Sequence, residues 1–230
     1  MKPVSVLVVA AHPDDEVLGC GGTMSLLSRR GNSVRACFLS SLADARSSHP
    51  GKEALIGAAM RAQAVLGCGD PIFGEFENIQ FNVVPHLSLV QFIENAIRTV
   101  RAEVVFTHHP SDLNDDHRCT SAACDAAVRL YQRGVDTPPI TGYHYMEVLS
   151  STDWALGASQ NRFVPTSFFQ IGDEGVSRKL QALREYKGVM RKYPHPRSEE
   201  AIRAQASLRG AMFGVYHAEA FQTAFLRLDS

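Results

Sequence analysis

Near the N-terminus an apolar run of strand length, Val4 to Ala10, breaks directly into Ala11-His12-Pro13-Asp14-Asp15-Glu16. One imidazole and three carboxylates thus fall on the connection to the next apolar stretch. A half-buried or fully buried strand cannot absorb four ionisable groups, so the strand has to end there. Glu16 to Arg30 then reads as a helix, with Val17, Leu18, Met24, Leu26 and Leu27 as its apolar positions. Buried strand, polar loop and helix together open an α/β sheet, and the loops at the carboxyl ends of such strands are where open sheets carry their sites. An aspartate before a helix is also an ordinary N-cap. Capping uses one carboxylate and leaves His12 and the second aspartate without a task.

The same grammar recurs downstream. Ser33 to Ser40 reads as a second strand, followed by a polar loop, residues 41–50, that carries Asp44, Arg46 and His49; Arg46 is the candidate substrate contact there. Lys52 to Leu66 is an alanine-rich helix stopped by Gly67 and Gly69, Pro71 to Phe76 a short strand, and Leu87 to Val100 a helix with Leu89, Val90, Ile93, Ile97 and Val100 at helical spacing. Glu103 to Thr107 forms a strand that runs into His108-His109-Pro110-Ser111-Asp112-Leu113-Asn114-Asp115-Asp116-His117, with a helix starting at about Asp116. Of His108 and His109, one is expected to face the core and the other the rim. If the two strands that end in polar bursts are parallel neighbours, both bursts open on one edge of the sheet. Beyond Gly142 the pattern loosens: strands at Gly142 to Leu149 and Phe163 to Ile171, helices at Val176 to Lys192 and Glu199 to Phe213, and between those helices the stiff segment Tyr193-Pro194-His195-Pro196-Arg197. The expected fold is α/β, a Rossmann-like, mostly parallel sheet flanked by helices with a less regular C-terminal part, in a single domain over residues 1–230.

Composition narrows the function. A formal net charge of −1 gives no overall field for nucleic acid or an anionic surface. The apolar stretch Val4 to Ala11 is too short for a leader core or a membrane span, so no transmembrane segment is expected and the location is expected to be cytoplasmic. Five scattered cysteines without a CxxC pair argue against a disulfide framework or a cysteine zinc site. Gly19, Gly21 and Gly22 do not form the dinucleotide fingerprint, because the loop before them is acidic and would repel a pyrophosphate. No Gly-x-Ser-x-Gly elbow is present. Histidine and carboxylate from the first burst with a histidine from the second would suit a divalent metal, leaving one acid free to act as a base. Trp154 to Leu156 fit either a subunit contact, making a homo-oligomer, or the core.

The AHPDDE string over Ala11 to Glu16, the later Asp112-Leu113-Asn114-Asp115-Asp116-His117, and the closing Arg209-Gly210, Gly214 and Ala218 to Phe221 resemble the LmbE/PIG-L family of zinc-dependent N-deacetylases. The resemblance implies that His12, Asp15 and His117 hold Zn2+ (or another divalent metal), that Asp14 is the general base, and that the substrate is an N-acetylated sugar or glycoconjugate. Many members have a histidine three residues before the last ligand as oxyanion donor; this chain has Asn114, which can donate a hydrogen bond but cannot carry a proton. Members often show His-x-Ser-Gln near Tyr186, where this chain has Tyr186-Lys187-Gly188. His195 is the substitute proton donor, with Tyr186 behind it, and Arg46 with Arg197 would suit a phosphate- or carboxylate-bearing substrate. The competing readings are a sugar-binding protein with a structural metal and a hydrolase of another amide or ester.

Overall fold

The computed structural model describes residues 2–41, 51–134, 137–157 and 161–227. In chain order the elements are β1 (Ser5–Ala10), α1 (Asp15–Arg29), β2 (Ser33–Phe38), α2 (Lys52–Leu66), β3 (Gly69–Phe73), α3 (His86–Val100), β4 (Val104–His108), α4 (Asp115–Tyr131), β5 (Gly142–Met146), β6 (Ser167–Gln170), α5 (Gly172–Glu185), α6 (Glu199–Ala211) and β7 (Ala218–Leu226). They form a seven-stranded sheet of order β3-β2-β1-β4-β5-β7-β6. The first five strands are parallel, with Val6 opposite both Val34 and Val104; β7 runs antiparallel to β5 and β6. The expected mostly parallel sheet is therefore present.

Strand alternation divides the core into two layers. Val6, Val8 and Ala10 of β1 face one side with α1, α2, α5 and α6, through Leu18, Met24, Leu66, Leu180 and Ile202. Leu7, Val9 and Ala11 face the other with α3 and α4, through Ile93, Ile97, Ala127 and Tyr131. Such strands, covered on both faces, need near-continuous apolar runs, which is how β1 reads.

Two departures lie in the C-terminal part. Helix α5 spans Gly172–Glu185, displaced toward the N-terminus relative to the expected Val176 to Lys192. Tyr186 is already extended and Gly188 has φ 82°, so the chain leaves the helix there and residues 186–198 form a loop over the sheet edge. The second is β7, unannounced by alternation because it contains Glu219. That carboxylate is buried in an ion pair with Lys179 at 2.7 Å and accepts the N–H groups of Gly22 and Thr23 at 3.0 and 2.6 Å. Those donors lie just past a break in α1 at Cys20, φ −149°, and Lys179 also donates to the carbonyl of Leu18 on the other side of the break. A buried strand acid and a buried helix lysine thus complete the hydrogen bonds of the helix that starts at the site.

Candidate active site

Strands β1 and β4 are neighbours, and the chain leaves them in opposite directions, β1 toward β2 and β4 toward β5. Their carboxyl ends therefore flank the topological switch point of the sheet, where open α/β sheets leave a crevice. The backbone N–H of Ala11 donates to Nε2 of His108 at 2.8 Å and locks the two strand ends together.

Three donors converge above that lock. Nδ1 of His12 lies 3.2 Å and Nε2 of His117 lies 3.1 Å from the same oxygen, Oδ2 of Asp15. The far nitrogen of each ring is held by another aspartate. His12 Nε2 is 3.0 Å from Asp116 Oδ2, and His117 Nδ1 is 3.1 Å from Asp112 Oδ1. When the rings are neutral, as ligands of a cation must be, each far nitrogen donates its proton and the lone pairs of the near nitrogens point inward, the arrangement by which outer carboxylates orient metal-binding imidazoles.

Those carboxylates are themselves saturated. Asp112 accepts Thr152 Oγ1–H at 2.6 Å, Ser151 Oγ–H, and the N–H of Asn114 at 2.9 Å. Asp116 accepts the N–H groups of Ile79 and Phe81 at 2.6 and 3.0 Å, which ties the irregular segment after β3 to the site.

Charge and spacing both suit a divalent cation. Ligand atoms on a tetrahedral ion at bonds of ~2.0–2.2 Å are about 3.3–3.6 Å apart, close to the two nitrogen–oxygen separations of 3.2 and 3.1 Å. Asp15, Asp112 and Asp116 meet the rings of His12 and His117, with Asp14, Glu16, His108 and Arg197 beside them. Although burial opposes charge on Asp15, its contacts with His117 and His12 hold its carboxyl well below the usual range. Burial pushes the His117 ring down, yet the Asp15 and Asp112 carboxylates outweigh it and raise its pKa to about 10. The carboxylates thus attract positive charge into this spot. A second grouping, His108 with Asp112 and His117, fits less well, because His108 Nε2 already accepts Ala11 N–H and Asp112 is spoken for.

Asp14 stands beside the donors without joining them. Its φ of 119° lies in the region that glycine favours, a strained position for a residue with a side chain. Its N–H donates to Glu16 Oε2 at 3.0 Å, while Glu16 Oε1 accepts Gln63 Nε2 at 2.9 Å and the Tyr186 hydroxyl at 2.7 Å. Glu16 is fully buried and burial pushes its carboxyl up to about 8; burial and the Asp15 charge raise Asp14 to about 7, against the pull of Arg197, whose Nη1 is 3.5 Å from Asp14 Oδ2.

The other residues expected from the sequence are placed as follows. Asn114 caps α4, its Oδ1 accepting Asp116 N–H at 2.9 Å. Nδ1 of His195 accepts Arg197 N–H at 3.0 Å and its ring lies beside Trp154, while Arg197 donates through Nε to Ser150 Oγ at 2.7 Å. Tyr186 as a substrate contact is corrected: it is buried beneath Glu16, because α5 ends where its ring fills the core between α1 and α2. The division of His108 and His109 between core and rim is corrected too. Both are buried, and His109 is held between Ser111 N–H and Gln222. Arg46, with Asp44 and His49, lies outside the described residues.

Glu16, Gln63, Asp112, Asp116, Ser151 and Thr152 join the site without a role that sequence reasoning assigns them. Gln63 does carry a signal: it falls on the buried face of α2 with Ala59, Ala62 and Leu66, where a polar side chain needs a partner. The serine and threonine carry none.

A doubly wound α/β sheet with a His-Asp-His donor set at its switch point defines a class, the open-sheet proteins with a candidate mononuclear metal centre. Within it, the chain belongs to the PIG-L family, described as GlcNAc-PI de-N-acetylase, whose model matches residues 7–128. It is 27% identical over 194 residues, 81% of this chain and 92% of the relative, to a protein of Escherichia coli (strain K12) named as an uncharacterized deacetylase, YaiS. It shares its fold with N,N'-diacetylchitobiose deacetylase of Pyrococcus horikoshii, at TM-score 0.75 and 19% identity over 95% of this chain and 82% of the other. It shares it equally with GalB, the 4-carboxy-2-hydroxymuconate hydratase of Pseudomonas putida KT2440, at TM-score 0.78 and 20% identity over 100% and 99%. One fold therefore hosts two chemistries, and function has to be argued from the site.

Proposed function

We propose that this protein is a metal-dependent amidohydrolase that removes acetyl from an N-acetylated sugar or glycoconjugate. One observation carries the reading: His12 and His117 converge on Asp15, and a further carboxylate, Asp14, sits beside that donor set without being used in it. Membership of a de-N-acetylase family and the names of the Escherichia coli and Pyrococcus relatives support the acetyl group and the sugar class.

In this reading His12, Asp15 and His117 hold Zn2+ or another divalent ion. Such an ion, when bound, polarises the acetamide carbonyl and makes a water easier to deprotonate. Asp14, beside the donor set and not part of it, takes the proton of the attacking water. The Nδ2 of Asn114, the part of the side chain not used in capping α4, donates to the carbonyl oxygen as charge develops on it. As the C–N bond breaks, His195 delivers its Nε2 proton to the leaving nitrogen, giving acetate and a free amine, and takes back through solvent the proton that Asp14 releases. Arg197 and Arg46 meet a phosphate or carboxylate elsewhere on the substrate. A cytoplasmic location belongs to the same proposal, on the sequence grounds given above.

The test is acetate release from a panel of N-acetylated sugars, with zinc supplied, comparing the parent with Asp14→Asn. Activity abolished by chelation and lowered at least ~100-fold by Asp14→Asn is expected, the scale of general-base catalysis. Undiminished activity of Asp14→Asn would remove the proposed base. Inactivity of the parent on every sugar would favour the sugar-binding reading or a hydrolase of another amide or ester.

A further inference from the structure

We infer that Trp154 is the platform on which the substrate's sugar ring is seated, an inference that rests on the deacetylase reading and adds a residue that reading does not contain. A half-exposed tryptophan alone means little; its anchorage makes the difference. After β5 the chain spends three consecutive side chains on the site. Ser150 Oγ accepts Arg197 Nε–H at 2.7 Å, and Ser151 and Thr152 hydroxyls donate to Asp112, which orients His117. The turn that follows is pinned by the N–H of Thr152 on Val148 O at 2.9 Å, the N–H of Ser151 on Asp153 Oδ1 at 3.0 Å and the N–H of Trp154 on Ser151 O at 3.2 Å.

The indole is therefore carried by a hydrogen-bonded turn that also serves the donor set, yet Trp154 is left 47% exposed. Its nearest aromatic neighbour is His195, ring centroids 5.9 Å apart, and the Nδ1 of that ring accepts the N–H of Arg197. Trp154, His195, Arg197 and Asp14 thus form a strip leading from solvent to the base.

One flat apolar face with donors at its inner end fits a particular chemistry. A pyranose is apolar on its axial C–H face and hydroxylated round its rim. It can lie on an indole with its rim in water and its substituents toward imidazole and guanidinium. A linear acyl chain would need enclosure on more than one side to lose its water.

The chain has a single tryptophan, so the inference has a direct optical readout. The full-length Asp14→Asn protein, zinc-loaded, is titrated with N-acetylglucosamine and separately with acetamide while tryptophan emission is recorded. A saturable change with the sugar and none with acetamide is expected. In parallel, Trp154→Ala in the otherwise unaltered protein should raise KM for a deacetylated sugar about tenfold with kcat within about twofold, and Trp154→Phe should restore most of the loss. Circular dichroism of each variant separates lost stacking from lost folding.

An unchanged KM in folded Trp154→Ala, on a sugar that the parent deacetylates, overturns the platform and leaves the deacetylase intact. If the parent deacetylates nothing, the reading of the site fails and the titration judges the platform alone: a saturable change with N-acetylglucosamine keeps it, none removes it. Emission that changes with protein concentration in the absence of sugar, alongside a dimer in sedimentation, overturns it in favour of self-association.

Discussion

The Asp112 carboxylate offers the sharpest perturbation, because replacing it by asparagine keeps its shape and removes only its charge. Its Oδ1 receives Ser151 Oγ–H, Asn114 N–H and His117 Nδ1, and Oδ2 receives Thr152 Oγ1–H. An asparagine with its oxygen at the first position keeps three of these bonds, and its amide can donate to the threonine oxygen. Two effects follow. A charge-assisted bond to His117 becomes a neutral one, about half as strong, which amounts to roughly 1–1.5 kcal/mol. That corresponds to about a tenfold rise in the dissociation constant for zinc, at the lower end of the 10- to 100-fold typical of outer-sphere partners. The metal-free protein loses stability too. Burial raises the Asp112 carboxyl, but contacts with His117 and Ser151 outweigh it and hold its pKa at about 2, against the ordinary 3.8. A depressed carboxylate contributes stability that is present above about pH 4 and is lost as pH falls through about 2. At neutral pH that contribution is of order 2 kcal/mol and is forfeited in part by Asp112→Asn. The assay is zinc competition against a chromophoric chelator at pH 7.5, with urea unfolding of the metal-free form alongside. Unchanged zinc affinity in a folded Asp112→Asn protein would refute the argument that this aspartate sets the direction of the His117 lone pair.

Two stability predictions concern groups away from the donor set. Lys179→Met leaves the Glu219 carboxylate buried at the break in α1 with only Gly22 and Thr23 N–H groups for partners, so urea unfolding should register a loss of about 3–5 kcal/mol, much of it recovered by adding Glu219→Gln; a loss under about 1 kcal/mol would contradict the assignment. His144, stacked on Phe106 and buried, has its pKa pushed down by burial to about 4 from 6.5. Above pH 6.5 both folded and unfolded chains carry it neutral; as pH falls toward 4 only the unfolded chain gains the proton, so folding is penalised by up to roughly 3 kcal/mol. His144→Phe should therefore lose less stability between pH 7 and 4.5 than the parent, and equal losses in the two proteins would show that this ring does not titrate as stated.

How much was legible in the sequence follows from how local each feature is. Helix α2 runs over Lys52–Leu66 as its alanine-rich pattern and Gly67 indicate, and β1 with the His12 loop is a continuous local signal. The joining of the two polar bursts was legible only as a conditional, since it depends on β1 and β4 being neighbours, which the order of strands decides. Illegible were partners brought from far along the chain. Ser151 and Thr152 sit 39 and 40 residues from Asp112 in a segment with no periodicity, and nothing in their identity announces a carboxylate. Tyr186 failed as a substrate contact for the same reason. Charged residues Arg184, Glu185 and Lys187 flank it in sequence, and only the packing of α5 on α1 and α2 turns the ring inward. Glu219 hid a whole strand, because a buried acid in β7 is tolerable only with Lys179 opposite it.

The backbone at Asp14 sets two kinds of selection against each other. With φ at 119°, glycine is the residue that would relieve the chain there, and the bond from its N–H to Glu16 would survive the change, since it needs no side chain at position 14. A search for heat-resistant variants would thus be drawn to Asp14→Gly, and a search for turnover would be driven away from it. The aspartate persists in a conformation it disfavours because Glu16, Gln63 and Tyr186 brace it from beneath. That bracing ties the fate of Asp14 to Glu16, Gln63 and Tyr186, so a change at any one of the four bears on the other three.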